Sequence, residues 1–269
     1  MKETIYRLCI ELTNGRWSSY MIKKFAYSRW SRYLIPSFAK VYKINIEEMD
    51  KQLKEYGSLH EFFVRKLKAN CRNIHADHRE IISPVDAVIE DIGEVREDSS
   101  ILVKGKTYSI HEMLGDEKTV DKYIGGTYLI FYLSPSHYHR IHCPVTGTVT
   151  NRWTLGNKSY PVNKYGLKWG KSTLSKNYRS ITELKTEEGN GICIVKVGAM
   201  FINSIVLNHK KDRVVQGEEI AYFSFGSTVV LLFEKNTFKQ KGFHSIPYPV
   251  KIGEVIGESF EQRNEYKNL

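Results

Sequence analysis

The sequence lacks several features that would assign it to a class of protein at once. No apolar run approaches the roughly 20 residues that a membrane-spanning helix needs. The best runs, at 128–133 and 229–233, have the length of buried strands. The N-terminus has no compact apolar segment ending in a small-residue cleavage site, so we expect that the chain is not secreted. No internal repeat, low-complexity tract or flexible linker is evident.

Cysteine is scarce. The four cysteines, Cys9, Cys71, Cys143 and Cys193, lie far apart in the chain and form no CxxC pair. This spacing argues against a cysteine-rich zinc site and against a disulfide framework. We therefore expect a reducing, cytosol-facing location.

The composition is that of a globular protein that binds an anionic partner. Hydrophobic residues make up 41% of the 269 residues and charged residues 26%, which is typical of one large or two small folded domains. The formal net charge is +10 at pH 7. A surplus of this size favours nucleic acid, acidic lipid headgroups or a phosphorylated substrate as the partner.

Most of the positive charge lies in residues 1–45. This segment has nine basic residues, two acidic residues and nine aromatic residues, among them Trp17, Phe25, Trp30 and Phe38. Basic helices with aromatic residues on their apolar side bind at lipid interfaces. The alternative is a pair of helices packed on the core beneath a solvated basic surface. The segment itself does not decide between the two.

The same segment has the periodicity of two helices. Ile5, Leu8, Cys9 and Leu12 share one face of a first helix. The Asn14–Gly15 pair ends that helix, and a second helix begins near Arg16 and is interrupted by Pro36.

A helical pattern continues over residues 44–67, and a β-rich pattern follows after residue 80. Ser58 and Glu61 have capping-box spacing and predict a short helix through Phe62, Phe63 and Leu67. No long helices alternate with the strands, so a doubly wound parallel sheet is not expected. We predict an α+β fold with a helical N-terminal region followed by a sandwich-like or barrel-like β domain. The predicted strands are 87–95, 128–133, 147–153, 192–197, 202–207 and 228–233.

Four side chains could form a catalytic set: Asp86, His139, His142 and Ser227. An aspartate can orient a histidine that takes the proton of a serine hydroxyl. Each residue also has a purely structural interpretation, since Asp86 could close a turn and Gly226–Ser227 could be a tight turn before a strand. His139 and His142, next to Cys143, could bind a metal, but no further ligand cluster has zinc-like spacing and we predict no metal site.

The Gly226–Ser227 pair permits an unusual reaction. Glycine has no Cβ, so its carbonyl is open to attack by the hydroxyl of the following serine. Attack converts the amide into an ester, β-elimination leaves dehydroalanine, and hydrolysis then gives a pyruvoyl group. Ser227 also lacks the second glycine of a Gly-x-Ser-x-Gly elbow, which argues against an α/β-hydrolase.

Short motifs that are characteristic of one family occur along nearly the whole chain. They are EFFVR at 61–65, SPVD at 83–86, YLSP at 132–135, YHRIH at 138–142, PVN at 161–163, NYR at 177–179, VGA at 197–199 and FGST at 225–228. With these motifs the chain resembles the phosphatidylserine decarboxylases, a pyruvoyl-dependent, membrane-associated family that cleaves itself between the glycine and serine of FGST. In two places it departs from the family pattern: Ala87 stands where glycine is usual, and His137 stands where an aspartate commonly precedes Tyr-His-Arg.

The resemblance implies a role for each candidate residue. Ser227 would become the pyruvoyl cofactor, Asp86 and His142 would act with Ser227 in maturation, and His139 would act in decarboxylation. The pyruvoyl ketone would form a Schiff base with the amine of phosphatidylserine and accept the electrons left by carbon dioxide, which yields phosphatidylethanolamine.

The resemblance also implies an organisation for the chain. Residues 1–45 would dock on the anionic cytoplasmic face of the cell membrane, as a peripheral region, and residues 46–269 would form the decarboxylase domain. Self-cleavage would give a β chain, residues 1–226, and an α chain, residues 227–269, which stay together as a heterodimer.

Two rival interpretations remain. A pyruvoyl decarboxylase of a soluble amino acid would keep Ser227 and the histidines without needing interfacial helices. A basic β domain could instead bind nucleic acid, but beyond residue 45 the basic residues are nearly balanced by acidic ones, and no RNA-binding signature occurs there. We therefore expect no nucleic-acid partner.

Overall fold

The computed structural model describes residues 16–74, 77, 79–162, 164–170, 172–199 and 204–260. The predicted first helix, with Ile5, Leu8, Cys9 and Leu12 on one face, lies outside the described residues.

Two helices joined by a 3-10 turn begin the described chain. They are α1, Arg16–Tyr27, the 3-10 helix Arg29–Leu34, and α2, Ile35–Val41. Pro36 lies in the first turn of α2, where a missing backbone N–H breaks no helical hydrogen bond. The prediction that Pro36 interrupts a helix is therefore wrong, because this proline helps to begin one.

Residues 44–67 are less helical than predicted. They contain a 3-10 helix, Leu53–Glu55, and one short α-helix, α3, Leu59–Phe63. Ser58 caps α3 as expected, since its Oγ accepts the Glu61 amide over 3.2 Å. The Glu61 carboxylate accepts from the Gly57 amide instead of closing the box at Ser58, and α3 ends before Leu67.

The apolar spacing in this segment arises from packing instead of helical periodicity. Ile44, Met49, Tyr56 and Phe62 are buried in one small core, which they share with Ile35 and Ala39 of α2. The first helices therefore pack directly on residues that follow position 45.

The rest of the described chain is built mainly from antiparallel strands. Eight of them form one sheet in the order β11-β7-β8-β9-β13-β5-β2-β15, and smaller sheets have the orders β10-β12-β6, β1-β16-β14 and β3-β4. The strands are β1 Glu80–Ile82, β2 Ala87–Glu94, β3 Ser100–Val103, β4 Lys106–Ser109, β5 Thr127–Leu133, β6 Arg140–His142, β7 Gly147–Leu155, β8 Arg179–Thr186, β9 Gly191–Gly198, β10 Ile205–Leu207, β11 Arg213–Val214, β12 Glu219–Phe223, β13 Ser227–Phe233, β14 Phe238–Gln240, β15 Tyr248–Val250 and β16 Val255–Ser259.

Strand β13 lies inside the large sheet and is buried along its whole length, between β9 and β5. Alternate side chains of a strand point to opposite faces. Val229, Leu231 and Phe233 accordingly enter one core, and Val230 and Leu232 enter the other. A strand covered on both faces has no polar positions to alternate, which explains the continuous apolar run in the sequence.

Different layers cover the two faces of the sheet. The β10-β12-β6 sheet contributes Ile141, Ala221 and Phe223 to the core on the Val229 side. The β3-β4 hairpin and several short helices cover the Val230 side. These helices are α4 Ile110–Leu114, α5 Glu117–Tyr123, α6 Lys164–Trp169 and α7 Thr173–Lys176.

The α+β prediction is confirmed, with helices first and a β-rich remainder. Five of the six predicted strands occur within a few residues of their predicted limits; of the sixth, residues 205–207 are a strand and 202–203 lie outside the described residues. Within the described ranges, no helix has both the length and the apolar character that a bilayer crossing requires.

Candidate active site

Ser227 lies at the first position of β13, in the interior of the protein. Its side chain is fully buried, and it pairs with Gly198 of β9 on one side and Leu133 of β5 on the other. Gly198 allows close packing here, because a Cβ at this position would meet Ser204 Oγ. The peptide bond between Gly226 and Ser227 is therefore held where a loop enters the central strand.

The carbonyl of Gly226 accepts a hydrogen bond from a backbone amide. The Ala199 N–H donates to the Gly226 oxygen over 2.8 Å. Ala199 directly follows β9, whose end is held by Asn177, because the Asn177 amide donates to the Gly198 carbonyl over 2.9 Å. A donor aimed at a carbonyl oxygen polarises it and stabilises negative charge that develops there.

The imidazole of His139 contacts the Ser227 hydroxyl. His139 Nδ1 lies 3.3 Å from Ser227 Oγ, and Nε2 lies 3.1 Å from the Ser134 carbonyl oxygen. Because a carbonyl oxygen can only accept, Nε2 carries the ring proton, and Nδ1 is left to accept from the hydroxyl.

His139 is also held in its neutral form. Burial first, and then the charge of Arg65, lowers the pKa of His139 well below its ordinary value. The ring is stacked on Phe63 of α3 with ring centroids 4.0 Å apart, and Phe63 stacks in turn on Phe225. Aromatic rings therefore line the side of the site that faces α3.

His142 lies at the end of β6 and is bound elsewhere. Its Nδ1 donates to the Gly217 carbonyl over 2.7 Å, and its Nε2 lies 3.5 Å from the Tyr138 hydroxyl. Burial lowers the pKa of His142, whereas the nearby charges of Glu219 and Asp86 act to raise it. Among the described residues, the side chain that contacts Ser227 Oγ is His139, and the structure does not bring His142 to it.

Asp86 is bound by an arginine and by a backbone amide. Arg72 donates to it through Nε, over 3.0 Å, and through Nη2, and the Ile252 amide donates over 3.0 Å. Arg72 also donates to Glu48 over 2.8 Å. Asp86 lies two residues beyond Pro84, whose carbonyl accepts the His142 amide over 2.8 Å, so Asp86 and His142 belong to adjoining segments.

The sequence did not reveal three parts of this site. The Ala199 donor is a backbone group, and no side chain signals it. Arg72 reaches Asp86 through the tertiary fold, and no motif contained it. Phe63 and Arg65 lay within the EFFVR motif, but only the structure places them beside His139.

A buried hydroxyl, a neutral imidazole and an amide donor around one carbonyl are the parts of an acyl-transfer site. Comparisons with known proteins identify the family. The family model described as phosphatidylserine decarboxylase matches residues 59–258. The chain therefore belongs to the phosphatidylserine decarboxylase family, and the resemblance found in the sequence is confirmed.

Similar curated proteins extend the match over nearly the whole chain. A phosphatidylserine decarboxylase proenzyme of Geobacillus sp. (strain WCH70) is 58% identical over 96% of this chain and 99% of its own length. Proteins with the same description from Anoxybacillus flavithermus (strain DSM 21510 / WK1) and Bacillus cereus (strain ATCC 10987 / NRS 248) are also 58% identical, over 96% and 95% of this chain and 97% of their own lengths.

Proposed function

We propose that this chain is the precursor of a pyruvoyl enzyme that decarboxylates phosphatidylserine to phosphatidylethanolamine and that forms its own cofactor from Ser227. The observation that carries the proposal is the environment of the Gly226–Ser227 bond. Its carbonyl accepts an amide hydrogen bond from Ala199, and the neighbouring hydroxyl faces the neutral imidazole of His139. The names of the family and of the relatives agree with this reaction.

Maturation begins with attack of Ser227 Oγ on the Gly226 carbonyl carbon. The C–O bond forms, the C–N bond breaks, and the Ser227 nitrogen takes up a proton as the amide becomes an ester. While the tetrahedral centre exists, the Ala199 N–H stabilises the charge on the Gly226 oxygen. Loss of the Ser227 α-proton then breaks the Cβ–Oγ bond, which releases the Gly226 carboxylate and leaves dehydroalanine. Hydrolysis of the dehydroalanine gives the pyruvoyl ketone, and the nitrogen leaves as ammonia.

The residue that would carry the group fits it. The three carbons of Ser227 become the three carbons of the pyruvoyl group, so the conversion requires no additional space in this fully buried position. Once formed, the pyruvoyl group supplies a ketone that accepts the amine of the substrate and withdraws the electron pair left by carbon dioxide.

We assign different tasks to the two histidines because their electrostatic surroundings differ. His142 and Asp86 serve maturation, since the charges of Glu219 and Asp86 oppose the lowering of the His142 pKa by burial, and Nε2, 3.5 Å from the Tyr138 hydroxyl, is the ring nitrogen left to accept a proton. The fully buried His139, beside Arg65, resists protonation. It orients the Ser227 hydroxyl through its 3.3 Å contact and lies beside the residue that becomes the pyruvoyl group.

The contact between His139 and Ser227 also favours a competing assignment, in which His139 itself takes the hydroxyl proton. In that case the pair Asp86 and His142 would only stabilise the loop that carries the site. The variants of both histidines, described in the Discussion, separate the two assignments.

We also propose that the cleaved chains, residues 1–226 and 227–269, stay together as a heterodimer. The support is the position of β13, which pairs along its whole length with β9 and β5 of the other chain. Strand β15 pairs with β2, and β16 pairs with β1, so the smaller chain would contribute to two sheets.

The N-terminal helices support peripheral docking on the anionic cytoplasmic face of the membrane. We define the docking surface as the exposed apolar and basic side chains of residues 20–41. Ala26 and Tyr27, on the same helices, pack against Phe225 and His60, so the docking surface adjoins the site. The apolar members of the docking surface are Tyr20, Met21, Ile22, Phe25, Trp30, Tyr33, Leu34 and Val41, and its basic members are Lys24, Arg29, Arg32 and Lys40.

Two measurements test the proposed function. Intact-mass analysis under denaturing conditions should find two chains that meet at Gly226–Ser227. Borohydride reduction in the presence of an amine should label the first residue of the smaller chain, and the purified protein should release carbon dioxide from phosphatidylserine vesicles. Turnover without a trappable carbonyl would refute the proposal.

A further inference from the structure

Arg65 is a buried cation with unused hydrogen-bond donors. Its side chain is 4% exposed, and its Nη2 donates to the carbonyl oxygens of Ser136 and His137 over 2.8 and 2.9 Å. Its Nε and Nη1 atoms are buried and have no hydrogen-bond partner in the part of the chain that the structure describes. Among the described residues, no carboxylate forms an ion pair with it.

The half-buried Arg72 and Arg140 and the buried Arg179 differ from Arg65. Arg72 and Arg140 each form an ion pair with a glutamate, over 2.8 and 2.6 Å. Arg179 uses its Nε, Nη1 and Nη2 as donors to backbone carbonyls. A buried charge without a counter-ion is strongly destabilising. The Arg65 guanidinium lies over the Phe62 ring and uses Nη2, but its two remaining donors are unpartnered, which suits binding of an anion.

Arg65 lies beside the segment that carries His139. It follows α3 by two residues, and Phe63 of α3 is stacked on the His139 ring. Among charged groups, Arg65 lowers the His139 pKa most. Its bonds to Ser136 and His137 hold the segment that leads into His139.

We infer that Arg65 binds the phosphodiester of the substrate headgroup through Nη1–H, one of its two unpartnered donors. The inference rests on the proposed function, because it takes the substrate to be a serine phospholipid. Guanidinium and phosphate groups form short, charge-assisted hydrogen bonds that suit a site closed to water.

The headgroup carries a second anion, the carboxylate, and the chemistry argues against it as the ligand of Arg65. The carboxylate loses its charge as carbon dioxide leaves, so a cation bound to it would stabilise the substrate more than the transition state and would slow the reaction. The phosphodiester keeps its charge from substrate to product. An arginine bound to it holds the lipid without opposing decarboxylation.

Residues 134–137, which supply the two carbonyl partners of Arg65, are half-buried. Because Nη1 is itself buried, binding of the phosphodiester requires this segment to move aside.

The test compares Arg65→Met and Arg65→Lys with Arg152→Met, a control on β7, three strands away from β13 in the sheet. Activity is expressed per pyruvoyl group, counted by amine trapping, so that a defect in maturation does not count as a defect in binding. For Arg65→Met we expect a roughly 10- to 100-fold higher KM for a short-chain phosphatidylserine, the size expected for a lost charged hydrogen bond. Inhibition by glycerophosphoethanolamine, which has the phosphodiester and no carboxylate, should weaken by the same factor.

A second probe distinguishes the two anions. O-methylserine has the amine and the carboxylate but no phosphate, and reductive trapping reports its reaction with the pyruvoyl group. Arg65→Met should trap it at the wild-type rate. An unchanged KM for the lipid, or an equal loss with both probes, would overturn the inference.

The remaining outcomes are also informative. If Arg65→Met fails to mature, the same comparison is made with Arg65→Lys, which keeps the charge but not the geometry of the guanidinium and should weaken glycerophosphoethanolamine inhibition alone. Failure of the proposed function would show itself separately, because the wild-type protein would then have neither a trappable carbonyl nor lipid turnover.

Discussion

The Ala199 amide donates a hydrogen bond of 2.8 Å to the carbonyl oxygen of Gly226, the oxygen that gains negative charge when Ser227 attacks. This donor predicts the behaviour of Ala199→Pro, which removes the N–H. Self-cleavage should slow by about 10²- to 10³-fold, the loss typical of one oxyanion donor. Ala199→Gly keeps the N–H and should mature normally; equal rates for the two variants would remove Ala199 from the mechanism. The rate is measured as the appearance of the smaller chain on denaturing gels.

Ser227→Ala should give a single uncleaved chain without decarboxylase activity, because no hydroxyl remains to attack Gly226. The neighbouring hydroxyl provides the control. Thr228 is equally buried, and its Oγ1 lies 3.5 Å from the Val162 carbonyl, so Thr228→Val should still be cleaved. Mass spectrometry under denaturing conditions reads out both variants. Two chains from Ser227→Ala would refute the proposed maturation.

Alanine variants of the two histidines should affect cleavage and turnover differently. His142→Ala should accumulate as an uncleaved chain, because the proton acceptor of maturation is lost. His139→Ala should mature, more slowly than the wild type, and then lose at least about 10²-fold in turnover, the usual contribution of a positioned acid or base. Gels report cleavage, and carbon dioxide release reports turnover. The reverse result, with cleavage lost only in His139→Ala, would mean that His139 and not His142 takes the hydroxyl proton during maturation.

The basic residues of the docking surface predict how the protein binds lipid. Lys24→Gln combined with Arg32→Gln should weaken binding to anionic vesicles by roughly 30-fold, at about 1 kcal/mol for each basic residue. Lys235→Gln with Lys239→Gln removes two exposed charges elsewhere and should have little effect. Vesicle flotation at low and high salt provides the measurement. Equal effects of the two double variants would mean that the attraction is spread over the whole surface.

Lys196 predicts an unusual dependence of stability on pH. It is fully buried on β9, and its Nζ donates to Thr182 Oγ1 over 2.8 Å. Burial lowers its pKa to about 7. In the unfolded chain the group titrates at its ordinary, higher value, so between these two values the unfolded state binds more protons and stability is lost as the pH falls toward 7.

Lys196→Met should therefore raise the free energy of unfolding at pH 7, and its advantage over the wild type should shrink as the pH rises to 9.5. Lys185→Met, on the neighbouring strand β8 and exposed to solvent, is the control. Urea unfolding is best measured in the uncleaved Ser227→Ala background, where the chain is continuous. An advantage that does not change with pH would show that Lys196 is charged in the folded protein.

Local patterns predicted much of the fold. The apolar run of β13 and the alternation in β2 and β7 reflect packing against the sheet faces, which the sequence encodes directly. The pattern over 44–67 misled, because Met49 and Tyr56 are buried by turns that pack on α2 instead of by a helix. Apolar spacing reports burial and does not by itself identify the backbone that produces it.

The candidate site was predicted in part. The motifs led to Ser227, Asp86 and both histidines as candidates, and of these the structure places His139 in contact with Ser227. The motifs could not show that His139 contacts Ser227 while His142 bonds to Gly217, since these distances depend on how β6 meets β12 and β13. Ala199 belonged to the VGA motif, but only the structure shows that its backbone amide donates to Gly226.

The position of β13 between β9 and β5 has a consequence for the life of the finished enzyme. The proposed cut would free one end of a strand that is threaded through the middle of the molecule, so under native conditions the protein would look like one particle of unchanged mass. After denaturation, however, the two chains would have to associate again from solution, so the yield of refolded protein would depend on protein concentration. Assembly would in that sense be a single event, completed before the bond is broken and not repeated afterwards.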